Sequence, residues 1–337
     1  MAPLGKQDID LAESLRGLRG GGLPTRAKLR LAEEAGPHRK LFTSDLSTNE
    51  FLLAREIGLE PISQVMGSSI YHIGRIADYK GKTGEIETIS SAHREARRLA
   101  LKRLALEADA VAADVVVGVH LAERLITKGA HGKGGDDGDE VIEFTVVGTA
   151  ARAPWMERRS KDPVLTDLSG QDLWALARDG WAPCGMVFDF CRYHVWHVMK
   201  QDNWSAGGEV RSATAGVDQA RDLVAGRVTQ WAKQTGAEYV VGSDITVKVH
   251  EIPCGWEGCP LNDLDIDVSW FATGVKRMHN AAEIPHPGVP PLILGMMPLG
   301  KKKRGELLEG MESEDEELKE QAREEEERAA EKDEGGE

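Results

Sequence analysis

The feature that most constrains this chain is an internal repeat. Asp45-Leu46-Ser47 recurs as Asp167-Leu168-Ser169, a spacing of 122 residues, and at that spacing Gly58, Pro61, Val65 and Tyr71-His72 fall on Gly180, Pro183, Val187 and Tyr193-His194. Two residues are then inserted. Ala96-Arg97, Leu99, Arg103, Ala113, Val116-Val117-Gly118 and Thr149 match Ala220-Arg221, Leu223, Arg227, Ala237, Val240-Val241-Gly242 and Thr273. One register kept across a hundred residues with one small shift predicts two units of the same construction.

Each unit opens with a short helix, capped through Asp45/Ser47 or Asp167/Ser169 and stopped by Gly58 or Gly180. A strand follows, over 59–73 and 181–198. A long helix comes next. Leu101, Leu104, Ala105, Ala108 and Val111 mark its apolar face in the first unit, with Arg97, Arg98, Lys102 and Arg103 placed off that face. A hairpin closes the unit. Leu264, Ile266, Val268 and Trp270 alternate there with Asp263, Asp265, Asp267 and Ser269, which predicts one packed face and one polar face. The fold class is therefore α+β: two tandem two-layer units, each a helix on a small antiparallel sheet. Three strands per unit leave open edges, and pairing with a neighbouring unit or chain would cover them.

The chain divides into a leader (1–40), a first repeat (41–153), a second repeat (163–278), a Pro/Gly-rich and basic linker (279–305) and an acidic tail (306–337). In the leader, Ile9, Leu11, Leu15 and Leu18 suit a short amphipathic helix ended by Gly20-Gly21-Gly22. The tail holds 16 acidic and 4 basic residues, so it accounts for most of the net charge of −14, and the rest is nearly neutral. A general nucleic-acid surface is not expected. The tail and Lys301–Arg304 are candidates for recruiting a protein partner. No apolar run reaches the roughly 20 residues of a membrane span, and the N-terminus lacks a secretory pattern, so a cytoplasmic location is expected.

Four cysteines, Cys184, Cys191, Cys254 and Cys259, lie in the second half, and in a cytosolic chain they suit free thiols or metal ligands. The metal candidate is His250, Cys254 and Cys259 on the second hairpin tip, with Asp263 on the same face as His250. Two thiolates and an imidazole suit a zinc or copper ion. The matching loop of the first unit, 127–140, carries His131 and no cysteine. The repeated pairs Tyr71-His72 and Tyr193-His194 form the other candidate set, either as hydrogen-bonded interface residues or as ligand contacts. Nucleophile-elbow, H-E-x-x-H and P-loop patterns are absent. A non-enzymatic protein is expected.

Ala112-Ala113-Asp114-Val115-Val116-Val117-Gly118-Val119 and Gly236-Ala237-Glu238-Tyr239-Val240-Val241-Gly242, each after a long helix and before a hairpin, resemble the "GA(N/D)AVVG" segment of the YbjQ-like family. Val147-Gly148-Thr149-Ala150 resembles its "GTA" strand, with Ala272-Thr273-Gly274-Val275 in the same place. The family is labelled heavy-metal-binding, and its single-repeat members form ring-shaped, typically pentameric assemblies. The resemblance thus implies an α+β fold, a homo-oligomer and a metal as the bound group. Two repeats per chain depart from the family pattern, and stacked rings, one per repeat, would reconcile them with a five-unit ring. The function expected is an oligomeric scaffold or binding protein.

Overall fold

The apolar spacing read above becomes the following elements. From the N-terminus they are α1 (Lys6–Arg19), α2 (Thr25–Glu34), α3 (Thr48–Glu56), β1 (Glu60–His72), β2 (Gly84–Glu85), α4 (Glu87–Ala110), β3 (Val115–Thr127) and β4 (Glu140–Arg152). Then come β5 (Val164–Leu165), α5 (Gly170–Arg178), β6 (Trp181–Val195), α6 (Arg211–Thr235), β7 (Tyr239–Ile252) and β8 (Asp263–Arg277). This computed structural model describes residues 6–34, 44–73, 82–127, 140–156, 162–196, 208–252 and 263–278. All of these belong to one compact body, Met1–His286.

The two halves share their local devices at the spacings found in the sequence. Ser47 and Ser169 each cap a helix in a capping box, closed by Glu50 and Asp172. A bulge interrupts β1 between Pro61 and Ser63, and β6 between Pro183 and Gly185. A second bulge lies between Val117 and His120 in β3, and between Val241 and Asp244 in β7. At that bulge Gly118 and Gly242 both take the left-handed conformation, with φ of 66° and 68°. Past the long helices, Gly236 is left-handed at φ 72°, and Ala112 holds the matching position at φ 55°.

Each half makes an antiparallel sheet whose long strands run in the order β1-β4-β3 or β6-β8-β7. Both sheets then gain a short fourth strand from the other half. β5, at the start of the second half, adds parallel to β3 through Val115–Val164 and Val116–Leu165. β2, from the first half, adds antiparallel to β6 through Gly84–His194 and Glu85–Tyr193. The expected open edges are therefore covered in part within the chain, and its halves are lateral neighbours.

The helices differ in how they are covered. α6 buries one stripe, Gly216, Ala220, Val224, Val228 and Ala232, against Val187, Cys191, Ile266 and Val268 of its sheet. α4 buries the matching stripe, Ala92, Ala96, Ala100, Leu104 and Ala108, and a second one formed by Ile89, His93, Arg97 and Leu101. The second sheet lies over that extra stripe, with Met186, Phe188 and Phe190 in one core with Leu104, Phe144 and Val146. A smaller core joins α3 and α5 through Ala54, Ile57, Leu173 and Ala177. The packing overturns two expectations. The Asp265/Asp267 face of β8 is buried, not solvated, and Arg97 is fully buried on α4. Arg97 is enclosed because the second sheet lies over it, while Asp265 and Asp267 meet His194, Arg192 and His250 of their own sheet.

The leader docks on the first half. α2 sends Leu31 into the main core, and Arg30 Nη2 donates to Glu107 Oε2 at 2.6 Å.

Candidate functional site

The densest polar chemistry among the described residues is the buried seam between the halves. It starts at Arg97, which β-sheet packing on both sides of α4 cuts off from water. Its guanidinium lies about 5 Å from three phenyl rings, 5.1 Å from Phe144 and 5.0 Å from both Phe190 and Phe271. Nη2 donates to Glu123 Oε2 at 2.9 Å, and Nη1 donates to Ser269 Oγ at 2.9 Å and to the Asp189 carbonyl at 3.4 Å. Glu123 belongs to the first half, Ser269 and Asp189 to the second. One side chain thus ties both.

His93, one turn before Arg97, stacks on Phe190 with ring centroids 3.8 Å apart and planes within 6°. Its Nδ1 is 3.1 Å from Glu123 Oε1. Burial lowers the His93 pKa, helped by Arg97 and Arg192 and opposed by Glu123, so the ring is neutral near pH 7. Burial opposes the charge on Glu123, but the contacts with His93 and Arg97 outweigh it and hold the carboxyl at about 2.

Further along β6, Arg192 grips Asp267 bidentately, Nε–Oδ1 at 2.6 Å and Nη2–Oδ2 at 2.7 Å. Asp267 Oδ2 also lies 3.1 Å from His250 Nε2. His194 is fully buried, its Nδ1 2.7 Å from Asp265 Oδ1 and its Nε2 3.5 Å from Asp263 Oδ2. A third group sits beside β2. Glu85 takes two bonds from Arg227, at 2.8 and 2.5 Å, and one from Arg94 at 3.2 Å. Those contacts lower the Glu85 pKa against burial, which would raise it.

The sequence-derived candidates scatter over this framework. Tyr71 and His72 line an open groove of about 700 Å³ between α4 and α6, with Glu87, Arg94, Asp189, Arg227 and Trp231. His194, at the strand position matching His72, is enclosed by Asp263 and Asp265. The repeated Tyr-His pairs therefore share a place in the strand but not an environment. His250 faces Asp267, and Asp263 approaches His194. Cys254 and Cys259 lie outside the described residues, as do His131, Lys301–Arg304 and the acidic tail. Cys191 is buried against α6, where burial pushes its thiol pKa well up, and Cys184 Sγ is 3.9 Å from Thr235 Oγ1.

Among the described residues, the buried seam is a poor place for a metal ion. Asp267 is already neutralised by Arg192, whose positive charge would repel a cation, and Cys191 stays a thiol rather than a thiolate ligand. Among the described residues, no group of three or more His, Cys, Asp or Glu is placed to hold a metal. No helix among them is long and apolar enough to cross a membrane.

Residues 63–153 match a family model described as "Putative heavy-metal-binding". Over 220 residues the chain is 38% identical to the encapsulin nanocompartment protein Rv1762c of Mycobacterium tuberculosis, a span of 63% of this chain and 80% of that one. The chain belongs to the YbjQ-like family. Within this YbjQ-like protein the family match falls on β1, α4, β3 and β4, the half whose helix carries Arg97. No solved structure matches it.

Sequence reasoning missed Arg97, His93, Glu123 and Arg192 as seam residues. A signal was available: His93, Arg97 and Leu101 are spaced four apart beside the apolar stripe of α4. A charge at that spacing is compatible with a solvated face until a second sheet is known to lie on it.

Proposed function

We propose that this YbjQ-like protein is a non-enzymatic, self-associating scaffold or binding protein that works with an encapsulin nanocompartment. The observation that carries this is the 38% identity across 80% of the mycobacterial encapsulin nanocompartment protein. The seam agrees with it. Arg97 and Arg227 bond across the halves to Ser269 and Glu85, and Arg97 and Arg192 are also paired with Glu123 and Asp267 within their own halves, which suits a structural joint better than a reacting centre. Co-expression of the full chain with the encapsulin shell protein of its source cell tests the proposal. Co-migration with intact particles through size exclusion and a density gradient is expected. A chain that stays wholly in the small-protein fractions would refute nanocompartment association.

A second reading follows from the tail's 16 acidic residues. In it, Glu306–Glu337 recruits the partner. Its removal should then abolish co-migration while leaving the protein's own assembly unchanged. Heavy-metal binding, the family's description, would rest here on His250, Cys254, Cys259 and Asp263. Elemental analysis of protein purified without added metal, beside the double variant Cys254→Ser/Cys259→Ser, decides that point. Zinc or copper at one per chain, lost in the variant, would establish it.

A further inference from the structure

The repeat sets a helix-docking site of the first half against a groove in the second. At the bulge of β1, α2 docks: Leu31 shares the core with Ile62, Ser63 Oγ donates to Glu34, and Arg30 donates to Glu107. In the repeat register Ile62, Ser63, Gln64 and Glu107 correspond to Cys184, Gly185, Met186 and Trp231. Both side-chain holds on α2 are lost in the second half, the hydroxyl to a glycine and the carboxylate to an indole. At that place lies a groove of about 380 Å³, walled by α4, the β5 segment, β6 and α6. Its volume is in the range of small-molecule sites. Leu101, Leu106, Val164, Met186, Phe188 and Trp231 make the apolar wall. Trp231 stands edge-on to Phe188, with ring centroids 4.9 Å apart. The charged lining residues are Arg98, Lys102 and Lys276 against one carboxylate, Asp162. Arg98 also holds Glu95 at 2.6 Å, so with Glu95 counted the cations still exceed the carboxylates by one. Lys276, buried on β8, is the most enclosed of the three.

We propose that this groove binds a small amphipathic anion, a monocarboxylate with an apolar chain of medium length. The chain would lie on Leu106, Met186 and Trp231, and the carboxylate would face the cations at Lys102 and Lys276. Apolar walls supply affinity without regard to sign, and the excess of positive charge selects the anion. A helix like α2 does not suit the same place. Its arginine would meet Trp231 where Arg30 meets Glu107, and its glutamate would meet Gly185 where Glu34 meets Ser63. Charged groups enclosed without partners are costly. A cationic ligand would meet Lys276 and Arg98. Cys184, at the bulge of β6, lines the groove and serves as a reporter of its occupancy. This site is separate from nanocompartment association, and either reading stands if the other fails.

The test titrates the full chain with octanoate, 1-octanol and octylamine. Calorimetry reads binding, and peptide mass spectrometry reads the rate at which iodoacetamide alkylates Cys184. Octanoate should bind once per chain and slow the alkylation severalfold, octanol should bind more weakly, and octylamine weakest. High salt should weaken octanoate and leave octanol unchanged. The double variant Arg98→Glu/Lys102→Glu changes two exposed side chains, so the fold should persist. It should weaken octanoate about tenfold and octanol hardly at all. Ala105→Phe puts a ring into the groove and should abolish both, with circular dichroism confirming the fold. If that variant fails to fold, the charge variant and the three ligands decide. The proposal is overturned by absence of saturable octanoate binding, by octylamine binding as tightly as octanoate, or by Cys184 protection that survives Ala105→Phe. A synthetic peptide of α2, Thr25–Glu34, that protects Cys184 better than octanoate would assign the groove to a helix and overturn it as well.

Discussion

Arg97 and Arg221 hold the same position in α4 and α6, yet the first is sealed between two sheets while the second is exposed. The difference is wholly one of neighbours. Glu123 and the phenyl rings of Phe144, Phe190 and Phe271 surround Arg97, and nothing equivalent within the described residues closes over Arg221.

Replacing Arg97 by Ala removes the counter-charge of Glu123 and leaves a hole among three rings. A loss of about 3–5 kcal/mol is expected, the usual cost of breaking a buried ion pair from one side. Urea unfolding of the full chain measures it. Arg221→Ala should cost far less, and equal losses would contradict the seam.

Glu123 should make the fold acid-sensitive. Its folded pKa of about 2 lies below the ordinary 4.5, so its stabilisation is complete above about pH 4.5 and disappears as pH falls toward 2. The shift corresponds to a contribution on the order of 3 kcal/mol. The lowered pKa of His93 acts in the same direction, beginning below about pH 6.5, where the unfolded imidazole takes up a proton that the buried ring resists. Melting temperatures from pH 7 to pH 3 should fall more gently in Glu123→Gln than in the native chain.

Ala112 occupies a left-handed position that its counterpart Gly236 fills without a Cβ. Ala112→Gly should therefore stabilise the protein, by roughly 0.5–1 kcal/mol. A fall in melting temperature would show that the strain is absent or that chain entropy outweighs it.

Gly67 lets β1 run directly under α4. A Cβ there would stand 2.0 Å from the Ala100 carbonyl oxygen and 2.6 Å from the Leu104 nitrogen, both backbone atoms. Gly67→Ala should cost about 1–3 kcal/mol or more, since the helix backbone must shift to admit it. Denaturant titration decides this, and a neutral effect would mean that α4 lies further from β1.

Within the sequence, local physics was legible. The capping serines Ser47 and Ser169, the stop glycines Gly58 and Gly180, the period of four along α4 and α6, and the alternation along β8 are short-range signals. They specified helix, strand and hairpin in the right order twice. They did not reveal which face each element would show to water. Asp265 and Asp267 read as a solvated row because alternating carboxylates usually are one. They are buried because Arg192, His194 and His250 meet them there. His72 and His194 read as equivalents, and only tertiary packing set one in an open groove and the other between two aspartates.

The sequence by itself determined the elements, their order and the spacing between like positions, because caps, turns and apolar periods act within a few residues. Tertiary structure alone decided that the second sheet lies over α4 and that Arg97 is enclosed while its twin is not. Burial depends on what arrives from a hundred residues away, and no local pattern records it.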